Sequence, residues 1–213
     1  MKSVRIDMIS DVMCPWCAIG LASLNKALQA LEGQVQVDLH FQPFELNPAM
    51  PVEGQDMREH LMQKYGISAE ESDKNRAMIT ERGAALGFDF RFIEGMRMRN
   101  TFKAHQLLHW AENTGKQQAL KNALFVAHFR DHQDISNNEI LLEIVQQIGM
   151  DAQEAKAVLA DERFAHLVRD KEQQWQEMGI HSVPAFILNE KYLISGGQPP
   201  ETFIEALTKV AQE

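Results

Sequence analysis

Val4-Arg5-Ile6-Asp7-Met8-Ile9-Ser10-Asp11-Val12-Met13-Cys14-Pro15-Trp16-Cys17-Ala18-Ile19-Gly20-Leu21 is the stretch from which the fold is read. Residues 4–9 alternate apolar and polar side chains as a half-buried strand does. Residues 18–28 place apolar side chains at helical spacing. Between them lie the only two cysteines of the chain, two residues apart. Cys14 therefore falls at a helix N-terminus and Cys17 about one turn further in. Free amide N–H groups and aligned peptide dipoles favour negative charge there, so a Cys14 thiolate is favoured. Pro15 suits the first turn, where its missing N–H costs nothing. Cys17 is within reach to close a small disulfide ring and expel a partner bound to Cys14. Cys14 is thus the expected nucleophile and Cys17 the resolving thiol. A zinc site would need further ligands, and the chain has no second cysteine pair.

Outward from the motif, Val35 to Phe41 reads as a second strand with Val35, Val37, Leu39 and Phe41 on one face. A strand–helix–strand start of this length implies a parallel pair joined by a right-handed crossover. Asn47-Pro48-Ala49-Met50-Pro51 breaks the pattern, and helical periodicity then runs to about Met178. Capping patterns mark helix starts at Ser68 with Glu71, Ser136 with Glu139, and Asp151 with Glu154. Phe88 to Phe92 reads as a loop or minor strand before a helix that begins near Asn100. Ala185–Leu188 and Tyr192–Ile194 form an expected hairpin, and Pro199-Pro200 open a closing helix. The expected fold class is α/β: β-α-β, a large all-helical insertion over 48–178, then β-β-α, with 1–47 and 179–213 forming one domain.

The chain has 213 residues, 45% of them hydrophobic, and a net charge of −9 from 21 basic and 30 acidic residues. That supports a substantial core and argues against nucleic-acid or anionic-membrane partners, which call for a basic face. Asp7 and Asp11 interrupt any signal-peptide core, and no run is long and apolar enough to span a bilayer. The expected compartment is the cytoplasm, where the pair rests largely reduced. No metal and no tightly bound cofactor is expected.

The Cys-x-x-Cys at the first strand-to-helix junction, in this element order, resembles the thioredoxin fold, and the insertion between its halves resembles the DsbA family. Ser182-Val183-Pro184-Ala185-Phe186 is similar to that family's second signature. Asn100-Thr101, Ala104-His105 and Gly196-Gly197-Gln198-Pro199 resemble the FrnE-like branch, with 2-hydroxychromene-2-carboxylate isomerases and kappa-class glutathione transferases beside it. The resemblance implies a cis Val183–Pro184 bond facing Cys14, with Pro15, Trp16, Val183, Pro184, His105 and Asn100 around a bound substrate. It implies protein thiols or disulfides as partners, or glutathione as co-substrate. The isomerase and transferase relatives usually carry serine where Cys14 stands, so two cysteines favour dithiol chemistry. Trp16 replaces the spacer histidine common in DsbA proteins, and a less oxidising pair is expected.

Other candidates have plainer readings. His105/His109 and His128/His132 have chelating spacing but fit polar or core-edge helix positions. Asp11 reads as a turn residue at the strand end, or as a group tuning Cys14. His181 reads as a loop histidine. Met50, Met57, Met62, Met96 and Met98 read as core filling, or as an adaptable peptide-binding surface.

Overall fold

The central strand is the one that leads into the cysteine pair. In the computed structural model, which describes residues 3–213, β1 (Ser3–Ser10) lies between β2 (Gln36–Pro43) and β5 (Ala185–Leu188). β2 runs parallel to β1 in the register Ile6↔Leu39. β5 runs antiparallel with Met8 opposite Phe186, and β6 (Tyr192–Ser195) completes the order β2-β1-β5-β6. Flanked on both edges, β1 is buried from Ile6 onward rather than alternating. Its inward polar group, Asp7, is held by the Arg5 guanidinium at 2.7 Å and the Gln42 amide at 2.7 Å.

Helix α1 (Pro15–Ala30) begins as anticipated, with Cys14 as its N-cap and Pro15 in the first turn. It packs against α9 (Pro200–Val210) and, on its outer side, against α3 (Ala69–Leu86). The intervening segment also holds β3 (Gln55–Asp56), α2 (Met57–Tyr65), β4 (Arg97–Met98), α4 (Phe102–Ala111), α5 (Gln117–Phe129), α6 (Asn138–Gln147), α7 (Ala152–Asp161) and α8 (Ala165–Glu177). Helices α4, α5 and α8 all pack on β2. One apolar core runs from Val4 and Ile6 through Leu24 to Leu124, Phe125 and Leu141, so the helices share their interior with the sheet.

Two details differ from the sequence reading, the strand content of the insertion and the cap of α6. The insertion is not entirely helical: β3 and β4 pair as a two-residue ribbon, Gln55↔Met98 and Asp56↔Arg97. Two residues are too few to carry a strand period. The Phe88–Phe92 run is a loop, one of the two states anticipated; Phe90 and Phe92 stack, and both meet Phe129 edge-on, Phe90 at 5.3 Å. At α6 the cap is Asn137, which accepts the Glu139 N–H at 2.8 Å; Ser136 instead donates to Asp134. Ser68 and Glu71 form the anticipated reciprocal box, and Asp151 caps α7. In α1 the missing side chain of Gly20 lets β5 approach: a Cβ there would lie 3.0 Å from the Phe186 ring and 3.1 Å from Pro184.

Candidate active site

The polypeptide turns from β1 into α1 through Asp11-Val12-Met13, closed by the Cys14 N–H on the Asp11 carbonyl at 3.1 Å. Asp11 is itself buried. Its carboxylate accepts the Met13 N–H at 3.2 Å and, across the chain, the Leu46 N–H at 2.8 Å. His105 Nε2 stands 3.5 Å from the same carboxylate, near enough for charge attraction but without hydrogen-bond geometry. Burial alone would push the Asp11 carboxyl up; the pull of His105 and the two backbone N–H groups more than offsets it and holds it below its ordinary value. Asp11 is thus a turn residue, as read, and also the staple between the motif loop and the chain leaving β2.

Cys14 and Cys17 are both free thiols. The Cys14 thiol donates to the carbonyl of Val183 at 3.7 Å, and the Val183–Pro184 peptide is cis. The Pro184 carbonyl in turn accepts the Gly196 N–H at 2.8 Å, which ties that loop to the end of β6. Gly197 lies against the motif from the other side: a Cβ there would sit 3.1 Å from the Trp16 carbonyl. Trp16 is half-buried, with the Arg82 guanidinium 5.3 Å from its ring. Cys17 is wholly buried, and burial, then the hydrogen bond and charge of Cys14, push its thiol well above the ordinary range.

A cavity of about 420 Å³ opens beside Cys14, Pro15 and Trp16, between α1 and the helices α2 and α3. Of the methionines singled out in the sequence, Met57 and Met98 line it, beside Met13, Leu61 and Ile79, and are at the same time part of the buried core, as are Met50 and Met96; Met62 is exposed. Its wall carries Lys64 and Arg76 and no carboxylate, although the chain as a whole is acidic. Lys64 is held by the Leu46 carbonyl and the Asn47 side chain, each at 2.8 Å.

The remaining sequence candidates sit elsewhere. His105 does not reach the cavity; it is buried behind the motif on α4, where the apolar spacing of that helix turns it inward. Asn100 closes the start of α4, its Oδ1 accepting the Phe102 N–H at 2.9 Å, and does not line the cavity. His181 is exposed. His109 pairs with Glu112 at 3.2 Å, and His128 is buried edge-on against Phe129. Among the described residues no three His, Cys, Asp or Glu side chains converge as a metal-binding group.

Sequence reasoning missed Lys121, a fully buried lysine on α5 whose charge is felt by Cys17. It lies on the same helical stripe as Gln117, Leu124 and His128, all buried, and a lysine on such a stripe was the available signal. It also missed Glu45, buried beside Glu172 and paired with Arg169, whose guanidinium lies over the Phe102 ring.

Residues 5–208 match the DSBA-like thioredoxin domain model, and the chain belongs to that family. A probable DsbA oxidoreductase from Streptomyces coelicolor is 35% identical and superposes with a TM-score of 0.90, covering 99% of this chain and 91% of its own. A 2-hydroxychromene-2-carboxylate isomerase is 12% identical with a TM-score of 0.76, covering 98% and 96%. The cytosolic disulfide reductase DsbM of Pseudomonas aeruginosa, solved with GSH, is 17% identical with a TM-score of 0.63, covering 98% and 100%. The DsbA-like thioredoxin fold agrees with the resemblance drawn from the sequence.

Proposed function

We propose that the protein is a cytoplasmic thiol–disulfide oxidoreductase acting through the Cys14–Cys17 pair on protein thiols or disulfides. The observation that carries the reading is the asymmetry of the two sulfurs. Cys14 caps α1 and lines the cavity, whereas Cys17 is wholly buried one turn behind it. The Cys14 thiolate attacks one sulfur of a substrate disulfide, forming a mixed disulfide and releasing the other sulfur as thiolate. Cys17 then attacks Cys14, closing the intramolecular disulfide and releasing the second substrate thiolate. The substrate is reduced by two electrons and the pair oxidised by two; the reverse sequence oxidises a substrate dithiol. The Val183 backbone, set beside Cys14 by Pro184, docks an extended substrate strand. Among the described residues no helix is long and apolar enough to cross a membrane. The test is a titration of the pair in glutathione buffers, read by thiol trapping and mass. A two-electron transition to an intramolecular disulfide is expected; its absence would remove the reading.

The cavity favours a second reading, a glutathione-dependent isomerase or transferase. Its volume suits a small molecule, and Lys64 and Arg76 suit an anionic one. In that case Cys14 only positions or activates glutathione, and Cys17→Ser leaves turnover largely intact. In the dithiol mechanism Cys17→Ser abolishes it.

A further inference from the structure

Ser72 and Arg76 stand one turn apart on α3, and each brings to the cavity beside Cys14 a buried polar atom with no hydrogen-bond partner among the described residues. Residues four apart on a helix are neighbours on one face, with about 5–6 Å between their Cβ atoms. A helical serine ordinarily donates its hydroxyl to the carbonyl one turn back. Here the Ser68 carbonyl accepts the Ser72 N–H at 3.0 Å, and the Ser72 Oγ, in a residue only 1% exposed, is left without a bond. The Arg76 guanidinium lies 6.0 Å from the centre of the Phe92 ring, and its Nε is the second orphan. The two carboxylates whose charge it feels are committed elsewhere: Asp73 to Arg58 at 2.6 Å, and Asp56, the cap of α2, to the Glu59 N–H at 3.0 Å. On the same cavity wall Lys64 is held by Leu46 and Asn47, and both ring nitrogens of His60 are engaged, by Gln55 at 2.7 Å and Asn47 at 3.0 Å. Burying a donor without an acceptor costs free energy, so two such donors on one turn of a cavity wall point to an acceptor that arrives from outside.

We propose that Ser72 and Arg76 bind a carboxylate carried by the disulfide substrate, and that the cavity selects substrates in which this group ends an apolar body. The proposal rests on the dithiol reading given above and names a substrate class for it. One carboxylate oxygen accepts from the guanidinium and the other from the hydroxyl. Met13, Leu61, Ile79 and Met98 surround the apolar body. Cys14 lies on the same wall system, and a cavity of about 420 Å³ is in the range that a small ligand fills, so one bound group reaches both the sulfur and α3. No acidic side chain lines the cavity, and an entering anion meets no like charge there. The Cys14 thiolate attacks the nearer sulfur of the bound disulfide. The Cys14–substrate bond forms, the S–S bond of the substrate breaks, and the other half leaves as thiolate. The half that stays on Cys14 is the one whose carboxylate is held.

The experiment compares two probes that differ only in charge. Reduced protein is mixed with para-dithiodibenzoate or with its neutral diamide, quenched with acid at intervals, and the loss of reduced protein is followed by mass. The rate of each probe with N-acetylcysteine corrects for its own reactivity. The native protein then prefers the carboxylate by about 10–100-fold, the size of a charge-assisted hydrogen bond. Arg76→Gln removes the preference, Arg76→Lys keeps part of it because an ammonium retains the charge without the fork, and Ser72→Ala lowers it several-fold. The ratio of the two probes is the readout, since general damage to the fold slows both alike. The thermal midpoint of Ser72→Ala holds or rises, because the hydroxyl removed was buried without a partner, whereas a merely structural serine would lower it. Disulfide-linked peptides with Glu or Gln beside the cysteine separate two sources of the carboxylate. A preference among the peptides assigns it to an acidic side chain of a protein substrate, and a preference in the aryl pair alone assigns it to a small molecule. A native protein without preference in either pair overturns the proposal and needs no variant to fold. So does a preference that survives in Arg76→Gln. If Cys14 reacts with none of these disulfides, the dithiol reading itself falls, and the substrate class falls with it.

Discussion

The Cys14 sulfur and the Val183 carbonyl oxygen stand 3.7 Å apart although 169 positions separate them in the chain. What holds the two together is the close approach of β5 and its preceding loop to α1, and that approach depends on Gly20. A methyl group at Gly20 meets the Phe186 ring at 3.0 Å and Pro184 at 3.1 Å, tighter than ordinary contact. Gly20→Ala is expected to displace the Pro184 loop, slow turnover several-fold, and cost about 1–3 kcal/mol, as overpacking usually does. Disulfide-reductase assays and urea unfolding measure the two effects; full activity with unchanged stability would show that the loop tolerates the shift.

Trp16 occupies the spacer position next to the helix cap, and it brings surface rather than charge. The pair is expected to be more reducing than DsbA, whose potential is about −120 mV. Trp16→His adds a group that stabilises a thiolate at the cap and shifts the midpoint toward DsbA. Equilibration against glutathione measures both, and a native midpoint at the DsbA end of the scale would refute the expectation.

Glu45 gives the fold an unusual response to pH. Burial, then the neighbouring charge of Glu172, raises its carboxyl to about 7, with Arg169 opposing and Asp11 adding to the rise. Between its unfolded value near 4.5 and 7 the folded state binds the extra proton, so stability from this group falls as pH rises through that window. The size is on the order of 2 kcal/mol, reduced because Arg169 is partly open to solvent. Glu45→Gln should be more stable than the native protein at pH 8 and nearly equal to it at pH 5. Thermal unfolding across that range tests this, and an unchanged slope would remove Glu45 as the cause.

Asp11 acts in the opposite sense. Its carboxyl is held below its ordinary value in the fold, so its contribution is complete above about 3.8 and is lost as pH falls through the folded value. Asp11→Ala leaves the Met13 and Leu46 N–H groups without their acceptor and should cost about 2–4 kcal/mol at neutral pH. The part of that difference owed to the lowered carboxyl should shrink as pH falls below 3.8, which unfolding followed by near-ultraviolet circular dichroism measures; a difference that does not change with pH would remove the charge as its source.

The frame of the fold could be read from local pattern because its signals are local. Cys14 and Pro15 mark a helix start by residue type, Ser68 and Glu71 close a box within four residues, and the hairpin is bounded by its own turn. β1 misled because alternation reports one buried face, whereas this strand is covered on both sides by elements far along the chain. The site divided in the same way. Cys14, Cys17 and Trp16 announce themselves by type and spacing, whereas Pro184 was reached through the family resemblance. His105, implied by the resemblance to lie around a bound substrate, sits behind the motif, since a helical stripe shows which residues turn inward but not toward which neighbour. Lys64, Arg76 and Glu45 carry no motif; only the assembled helices bring the first two to one cavity and the third against Arg169.

The complete enclosure of Cys17 also bears on how the protein survives oxidants. Peroxide can reach the sulfur that lines the cavity, and a sulfenic acid formed there has a thiol waiting one helical turn away. Condensation of the two expels water and returns the centre to a reducible disulfide before further oxygen is added. The inner sulfur, shut away from solvent, is spared direct attack. The geometry that separates the two roles in turnover therefore also limits irreversible damage to the centre.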